Sequence, residues 1–133
     1  MLITRASEYA ILSLILLSKS DTPQDSDKLS RELGIPKSFL AKILQSLAKG
    51  GILVSYRGAN GGFALAKEPA DINMLSIMRT VESKSPAIFD CAPSQNDCPS
   101  AKAQTCSIWP FLNKLQGKVD SFLSELTLED ILE

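Results

Sequence analysis

Two helical stretches separated by Gly34-Ile35-Pro36 constrain this chain more than any other part of it. Residues 29–33 (Leu-Ser-Arg-Glu-Leu) close one short helix, and Gly34 supplies the left-handed residue that a helix end needs. Ile35 then tucks into a core, and Pro36 suits the first turn of a new helix because its missing N–H is not needed there. Helices joined by so tight a turn cross steeply, which is helix-turn-helix geometry.

The second helix, about residues 36–49, has two faces. Leu40, Ile43, Leu44 and Leu47 recur at helical spacing and point inward. Lys37, Ser38, Ala41, Lys42, Gln45 and Lys49 form a small, polar and basic opposite side. Short side chains allow close approach, lysines meet phosphates, and polar groups reach base edges. This is what a recognition helix in the major groove requires, and an ordinary solvated face has the same composition.

The next stretch separates the two readings. Ile52-Leu53-Val54 predicts a strand and Phe63-Ala64-Leu65 its return. Between them lie three glycines and Asn60, residues that allow positive φ in a hairpin tip. Arg57 at the base of that tip makes a wing suited to a narrow minor groove. Residues 33–67 contain no Asp or Glu but carry Lys37, Lys42, Lys49, Arg57 and Lys67. We therefore expect Lys37, Ser38, Phe39 and Lys42 in the major groove of a double-stranded operator, and Arg57 with Asn60 in the wing.

The segments Thr4 to Ala10, Gly34-Ile35, Phe39-Leu40 and Arg57-Gly58-Ala59-Asn60-Gly61-Gly62-Phe63, followed by Leu65, resemble the IscR/NsrR/CymR family of bacterial transcription regulators. The likeness covers nearly the whole chain and is densest before Lys67. It implies a dimeric winged helix-turn-helix regulator, repressor or activator, and many such members carry an iron–sulfur cluster. The family often shows Tyr-Leu-Glu where this chain has Phe39-Leu40-Ala41, so operator preference does not carry over.

The 133 residues suit one domain with a core that needs no staples. The net charge of −1 hides an asymmetry. Residues 1–68 hold nine Lys and Arg against six Asp and Glu, and residues 69–133 hold five against nine. A basic half that binds nucleic acid and an acidic half with another task is the simplest account. Residues 10–17 are too short an apolar run to span a bilayer, and no cleavage pattern follows them. Three cysteines without a secretory context argue against a disulfide framework, so a cytoplasmic protein is expected.

The expected fold is mainly α with a small β-hairpin wing: a winged helix-turn-helix plus a long C-terminal dimerisation helix. Thr4 caps a first helix to about residue 18, apolar on more than one face and so buried from two sides. One side is expected on the helix-turn-helix, the other on the C-terminal helix or a partner subunit. Residues 19–24 read as a polar loop, after which Asp25 or Ser26 caps the next helix. Residues 1–68 form the DNA-binding region. Residues 69–133 hold a linker helix capped by Asp71 with Ile72, Leu75, Met78 and Val81 buried, a cysteine loop (84–106) and the dimerisation helix (107–126), in one compact unit with the first region. Met74 and Met78 read as packing residues. In the last helix Ile108, Leu112, Leu115, Val119, Phe122 and Leu126 are spaced 4, 3, 4, 3, 4, a heptad seam that predicts a homodimer. Residues 127–133 read as a short docked turn.

All three cysteines, Cys91, Cys98 and Cys106, fall in the proline-rich loop or at its end. Their spacing, six residues and then seven, matches neither zinc-finger nor ferredoxin patterns. The chain has no histidine, which excludes Cys–His sites. Soft thiolates suit an iron–sulfur cluster or Zn²⁺. The resemblance favours the cluster, 4Fe–4S or 2Fe–2S, reporting redox, nitric oxide or iron status, because cluster-binding members carry three cysteines in the matching loop. Where some members place a histidine ligand three residues after the third cysteine, this chain has Trp109. The resemblance also makes Glu8 a candidate ligand toward the partner subunit's cluster; otherwise it is a carboxylate favoured by the helix dipole. Asp90 and Asp97 are further candidates beside the thiols. Other readings leave the cysteines bare, as an oxidation switch or with no cofactor. A redox enzyme or electron carrier is the reading from another class, and no catalytic motif supports it.

Overall fold

The computed structural model describes residues 3–82, 86–88, 92–94 and 106–132. Helix α1 (Arg5–Ser18) begins where Thr4 Oγ1 accepts the Ser7 N–H at 3.2 Å. The same hydroxyl donates to the Glu82 carboxylate, tying the start of α1 to the end of a later helix. The inward face of α1 alternates small and large residues: Ser7, Ala10 and Ser13 with Leu14 and Leu17. Ser13 Oγ donates to the Tyr9 carbonyl at 2.8 Å, so this buried hydroxyl costs little.

Helix α2 (Ser26–Leu33) is capped by Asp25, whose carboxylate accepts the Lys28 N–H at 2.7 Å. It ends at Gly34 with φ +68°, and the Ile35 N–H then returns to the Ser30 carbonyl at 3.2 Å. Helix α3 (Lys37–Lys49) follows, burying Leu40, Ile43, Leu44 and Leu47. Strands β1 (Leu53–Tyr56) and β2 (Gly62–Leu65) pair antiparallel, with Leu53 opposite Leu65 and Tyr56 opposite Gly62.

The loop before α2 is more than a polar connection. Gln24 exchanges both backbone hydrogen bonds with Phe63, at 3.0 and 2.8 Å, adding a one-residue third strand to the hairpin. Gly62 allows that approach, since a Cβ there would stand 2.5 Å from the Gln24 carbonyl carbon, and its φ is +141°. The wing is thus fastened to the entrance of α2.

After a 3₁₀ turn at Pro69–Asp71, helix α4 runs Met74–Glu82. Asn73, not Asp71, caps it: Asn73 Oδ1 accepts the Ser76 N–H at 2.8 Å. The helix starts late because the chain first pairs with residues 126–128. The Leu128 N–H donates to the Ile72 carbonyl at 2.8 Å and the Met74 N–H to the Leu126 carbonyl at 2.7 Å. Ile72 is buried ahead of the helix, and Met74, Leu75, Ile77 and Met78 are buried within it, while Val81 is half-buried. Both methionines serve packing, as expected.

Helix α5 (Trp109–Glu125) begins two residues later than the sequence suggested, and α6 (Leu128–Leu132) buries Leu128. One core joins α1, α2, α3, β1, Ile72, Ile77 and Leu128; a second cluster joins Met74, Leu75 and Met78 to Leu123. The expected single seam on α5 divides into two faces. Leu112, Gln116 and Leu123 turn toward this chain's own core. Ile108, Phe111, Leu115 and Phe122 are exposed. Among the described residues, no helix is long and apolar enough to cross a membrane.

Candidate nucleic-acid interface and cysteine segment

Helix α3 turns Lys37, Ser38, Phe39, Lys42, Gln45 and Lys49 outward, with Ala41 half-buried among them. The helix-turn-helix geometry gives this face its prominence, because Gly34 reverses the chain and Leu40, Ile43, Leu44 and Leu47 fix α3 on the core. At the wing tip Arg57, Gly58, Ala59 and Asn60 are exposed, and the Gly61 N–H closes the turn onto the Gly58 carbonyl at 3.0 Å. Both groups of predicted residues therefore stand on exposed elements of one winged helix-turn-helix.

Two of them have partners that the linear sequence conceals. Lys37 Nζ lies 2.7 Å from Asp27 Oδ1 on α2, although the stretch around Lys37 contains no acid. Such an exposed pair contributes about 0–1 kcal/mol, little enough for a phosphate to displace it. Phe39, 42% exposed, meets the ring of Tyr9 edge to face at 5.6 Å. Among the described residues no carboxylate pairs with Lys42, Lys49 or Arg57.

Glu8 is exposed on the first turn of α1 and pairs with Arg5 at 3.7 Å. The Arg5 guanidinium in turn lies 5.9 Å from the Tyr9 ring centre. Of the three cysteines, Cys106 is half-buried just before α5 and is not in a disulfide. Cys91 and Cys98, with Asp90 and Asp97, lie outside the described residues. Among the described residues no three potential metal ligands gather. A free, sheltered thiol is nevertheless the donor type that a soft iron centre takes, so Cys106 fits such a group.

Sequence reasoning missed the side chains that hold the cysteine segment. Gln116 is 3% exposed on α5 and binds the backbone at Pro86 and Ile88, and Asn113 binds it at Ala92 and Pro93. The available signal was a glutamine four residues after Leu112, on what is otherwise an apolar face.

Known proteins agree with this arrangement. Residues 3–133 match the model of the Rrf2 family, described as an iron-dependent transcriptional regulator. The chain is 30% identical over 140 residues to an rrf2-like HTH-type transcriptional regulator of Rhodobacter capsulatus, covering 98% of this chain and 92% of that one. It is 29% identical over 141 residues to the HTH-type transcriptional regulator NsrR of Geobacillus kaustophilus, covering 100% of this chain and 90% of that one. The solved structure of CymR, the global cysteine regulator of B. subtilis, has the same fold, with a TM-score of 0.72 at 24% identity over 98% of this chain and 95% of that one. A match that runs from residue 3 to residue 133 takes in every described element, and the chain therefore belongs to the Rrf2 family: it is a DNA-binding transcriptional regulator and not an enzyme.

Proposed function

We propose that this regulator works in the cytoplasm as a homodimer and holds an iron–sulfur cluster on Cys91, Cys98 and Cys106. Glu8 of the partner subunit completes the ligand set. The cluster supplies a redox- and nitric-oxide-sensitive group whose presence reports redox, nitrosative or iron status. Lys37, Ser38, Phe39 and Lys42 enter the major groove, and Arg57 with Asn60 enters the minor groove from the wing. The chain acts at its operator as repressor or activator.

The observation that carries the reading is the character of α5. Its start adjoins Cys106, and its outer side exposes Ile108, Phe111, Leu115 and Phe122. Fully burying such a side chain contributes about 1.5–3 kcal/mol, and because these four begin 37–63% exposed each gains roughly half of that. Four of them in each protomer offset association costs of roughly 4–15 kcal/mol. A partner over this face therefore brings a second copy of the molecule beside the cysteine segment. The family description, iron-dependent, supports an iron group in the regulator.

The basic surface supports the DNA contacts. Lysine and arginine at phosphates give affinity, and Ser38 and Gln45 on the exposed side of α3 offer hydrogen-bonding groups for base edges. A carboxylate is a hard ligand on a soft cluster, so the bond from Glu8 is the labile one. The test is anaerobic reconstitution with iron and sulfide, followed by ultraviolet–visible spectroscopy, sedimentation and operator binding. The expected result is a dimer with charge-transfer absorption and cluster-dependent affinity. A wild-type protein that takes up no iron and sulfide removes the cluster reading and leaves the bare-thiol switch in its place.

A further inference from the structure

Gln116 occupies a place on α5 where an apolar residue would pack, between Leu112 and Leu123 on the inward side. Both of its N–H donors and its carbonyl oxygen are engaged. Oε1 accepts the Ile88 N–H at 2.9 Å, and Nε2 donates to the Pro86 carbonyl at 2.7 Å and to Asp120 Oδ1 at 2.9 Å. The network fixes the amide's orientation, since the reversed amide would face a donor with a donor and two acceptors with an acceptor. Three residues earlier, Asn113 Nδ2 donates to the Ala92 carbonyl at 2.8 Å, with the Pro93 carbonyl at 3.4 Å. Residues three apart share a helix face. One face of α5 thus grips the chain at residues 86–88 and again at 92–93, and in the sequence Cys91 lies between the two grips.

We propose that Gln116 and Asn113 are positioning residues for the cysteine segment, fastening the stretches that flank Cys91 to the helix that begins next to Cys106. The described chain on both sides of Cys91 in the sequence is then anchored, before any metal arrives, on the helix whose start adjoins Cys106. Prior ordering lowers the conformational entropy lost when a ligand set closes on its metal. The amide supplies partners for the Ile88 N–H and the Pro86 carbonyl, which an apolar side chain at this position could not. The consequence for cofactor retention rests on the proposed cluster reading, whereas the grip itself does not.

Gln116→Met is the main variant, since it keeps the side chain's length and suits an apolar face. In the metal-free full chain carrying Cys98→Ser and Cys106→Ser, leaving Cys91 as the one thiol, two rates are read: hydrogen exchange of the Ile88 amide, and alkylation by iodoacetamide. Both are expected to rise about tenfold or more, since the variant removes both buried hydrogen bonds to residues 86–88 together with the one to Asp120. Gln116→Glu keeps an acceptor for the Ile88 N–H but sets its second oxygen against the Pro86 carbonyl and the Asp120 carboxylate, two acceptors in a buried place, so it too is expected to raise both rates. Asn113→Ala, at a half-buried site, is expected to raise alkylation without altering Ile88. With all cysteines restored, reconstituted Gln116→Met is expected to lose its visible absorption to a chelator several times faster than wild type. Unchanged Ile88 exchange and unchanged alkylation in Gln116→Met overturn the proposal. If wild type takes up no cluster, the cofactor reading fails, and the two metal-free rates still decide whether the grip exists.

Discussion

Tyr9 and Phe39 meet edge to face, their ring centres 5.6 Å apart and their planes at 89°. This contact braces the outward side of α3 with a residue of α1. Arg5 stands 5.9 Å from the Tyr9 ring centre and 3.7 Å from Glu8, so a line of contacts joins the exposed start of α1 to α3. An aromatic pair of this kind contributes about 0.5–1.5 kcal/mol beyond area burial. A double-mutant cycle of Tyr9→Leu and Phe39→Leu, followed by urea unfolding, is expected to return a coupling of that size. Additive effects would show that the two rings act independently.

For DNA contacts, Arg57→Ala is expected to weaken operator binding by about 1–3 kcal/mol if the guanidinium reads a base edge or a narrow groove. Lys42→Ala is expected to weaken all sequences alike and to flatten the salt slope by about one, as loss of one phosphate contact does. Equilibrium binding at several salt concentrations separates the two. Unchanged binding in both variants would remove the assignment of this face.

Asp27 holds Lys37 at 2.7 Å, and both side chains are well exposed. Because such a pair contributes no more than about 1 kcal/mol, Asp27→Asn should leave the fold intact. Lys37 is then free to neutralise a phosphate, and the salt slope of DNA binding is expected to steepen by up to about one. A slope identical to wild type would mean that Asp27 does not hold Lys37 back from a phosphate.

Gly62→Ala is the sharpest test of how the wing is mounted. The new methyl would lie 2.5 Å from the Gln24 carbonyl carbon, and φ at this residue is +141°. A side chain in that backbone region costs on the order of 1–3 kcal/mol before the clash is counted. The expected outcome is a loss of at least that much stability in thermal or urea unfolding. A change under about 0.5 kcal/mol, the usual size at an unconstrained surface site, would contradict the Gln24–Phe63 bridge.

Phe122 is 63% exposed and Leu115 37% exposed on the outer side of α5. Phe122→Asp and Leu115→Asp are each expected to convert the dimer to monomer in sedimentation at micromolar concentration, with the circular dichroism of a folded chain retained. Leu123→Asp, on the inward face, is expected instead to unfold part of the chain. A wild-type protein that sediments as a monomer would overturn the homodimer.

Much of this fold follows from local chemistry. Thr4, Asp25 and Gly34 sit at helix ends because their side chains, or the lack of one, satisfy end groups within a few residues, and such effects need no distant partner. The inward set of α3 follows from the 3.6-residue repeat in the same way. The cap of α4 does not. Asp71 and Asn73 are both suitable residues, and the choice falls on Asn73 because Ile72 is first committed to pairing with Leu128.

The sequence by itself determined where α1, α2, α3 and the hairpin lie, that a basic acid-free stretch covers α3 and the wing, and which residues form the candidate DNA surface. Periodicity, capping and charge are properties of neighbouring residues and survive in one dimension. Only the tertiary structure decided what those residues meet. It set Asp27 against Lys37 and Tyr9 against Phe39, made Gln24 a third strand, and gave Gln116 to the cysteine segment. It also divided the apolar residues of α5 between two faces, because adjacent residues on a helix point about 100° apart and spacing alone does not say which side meets this chain's own core.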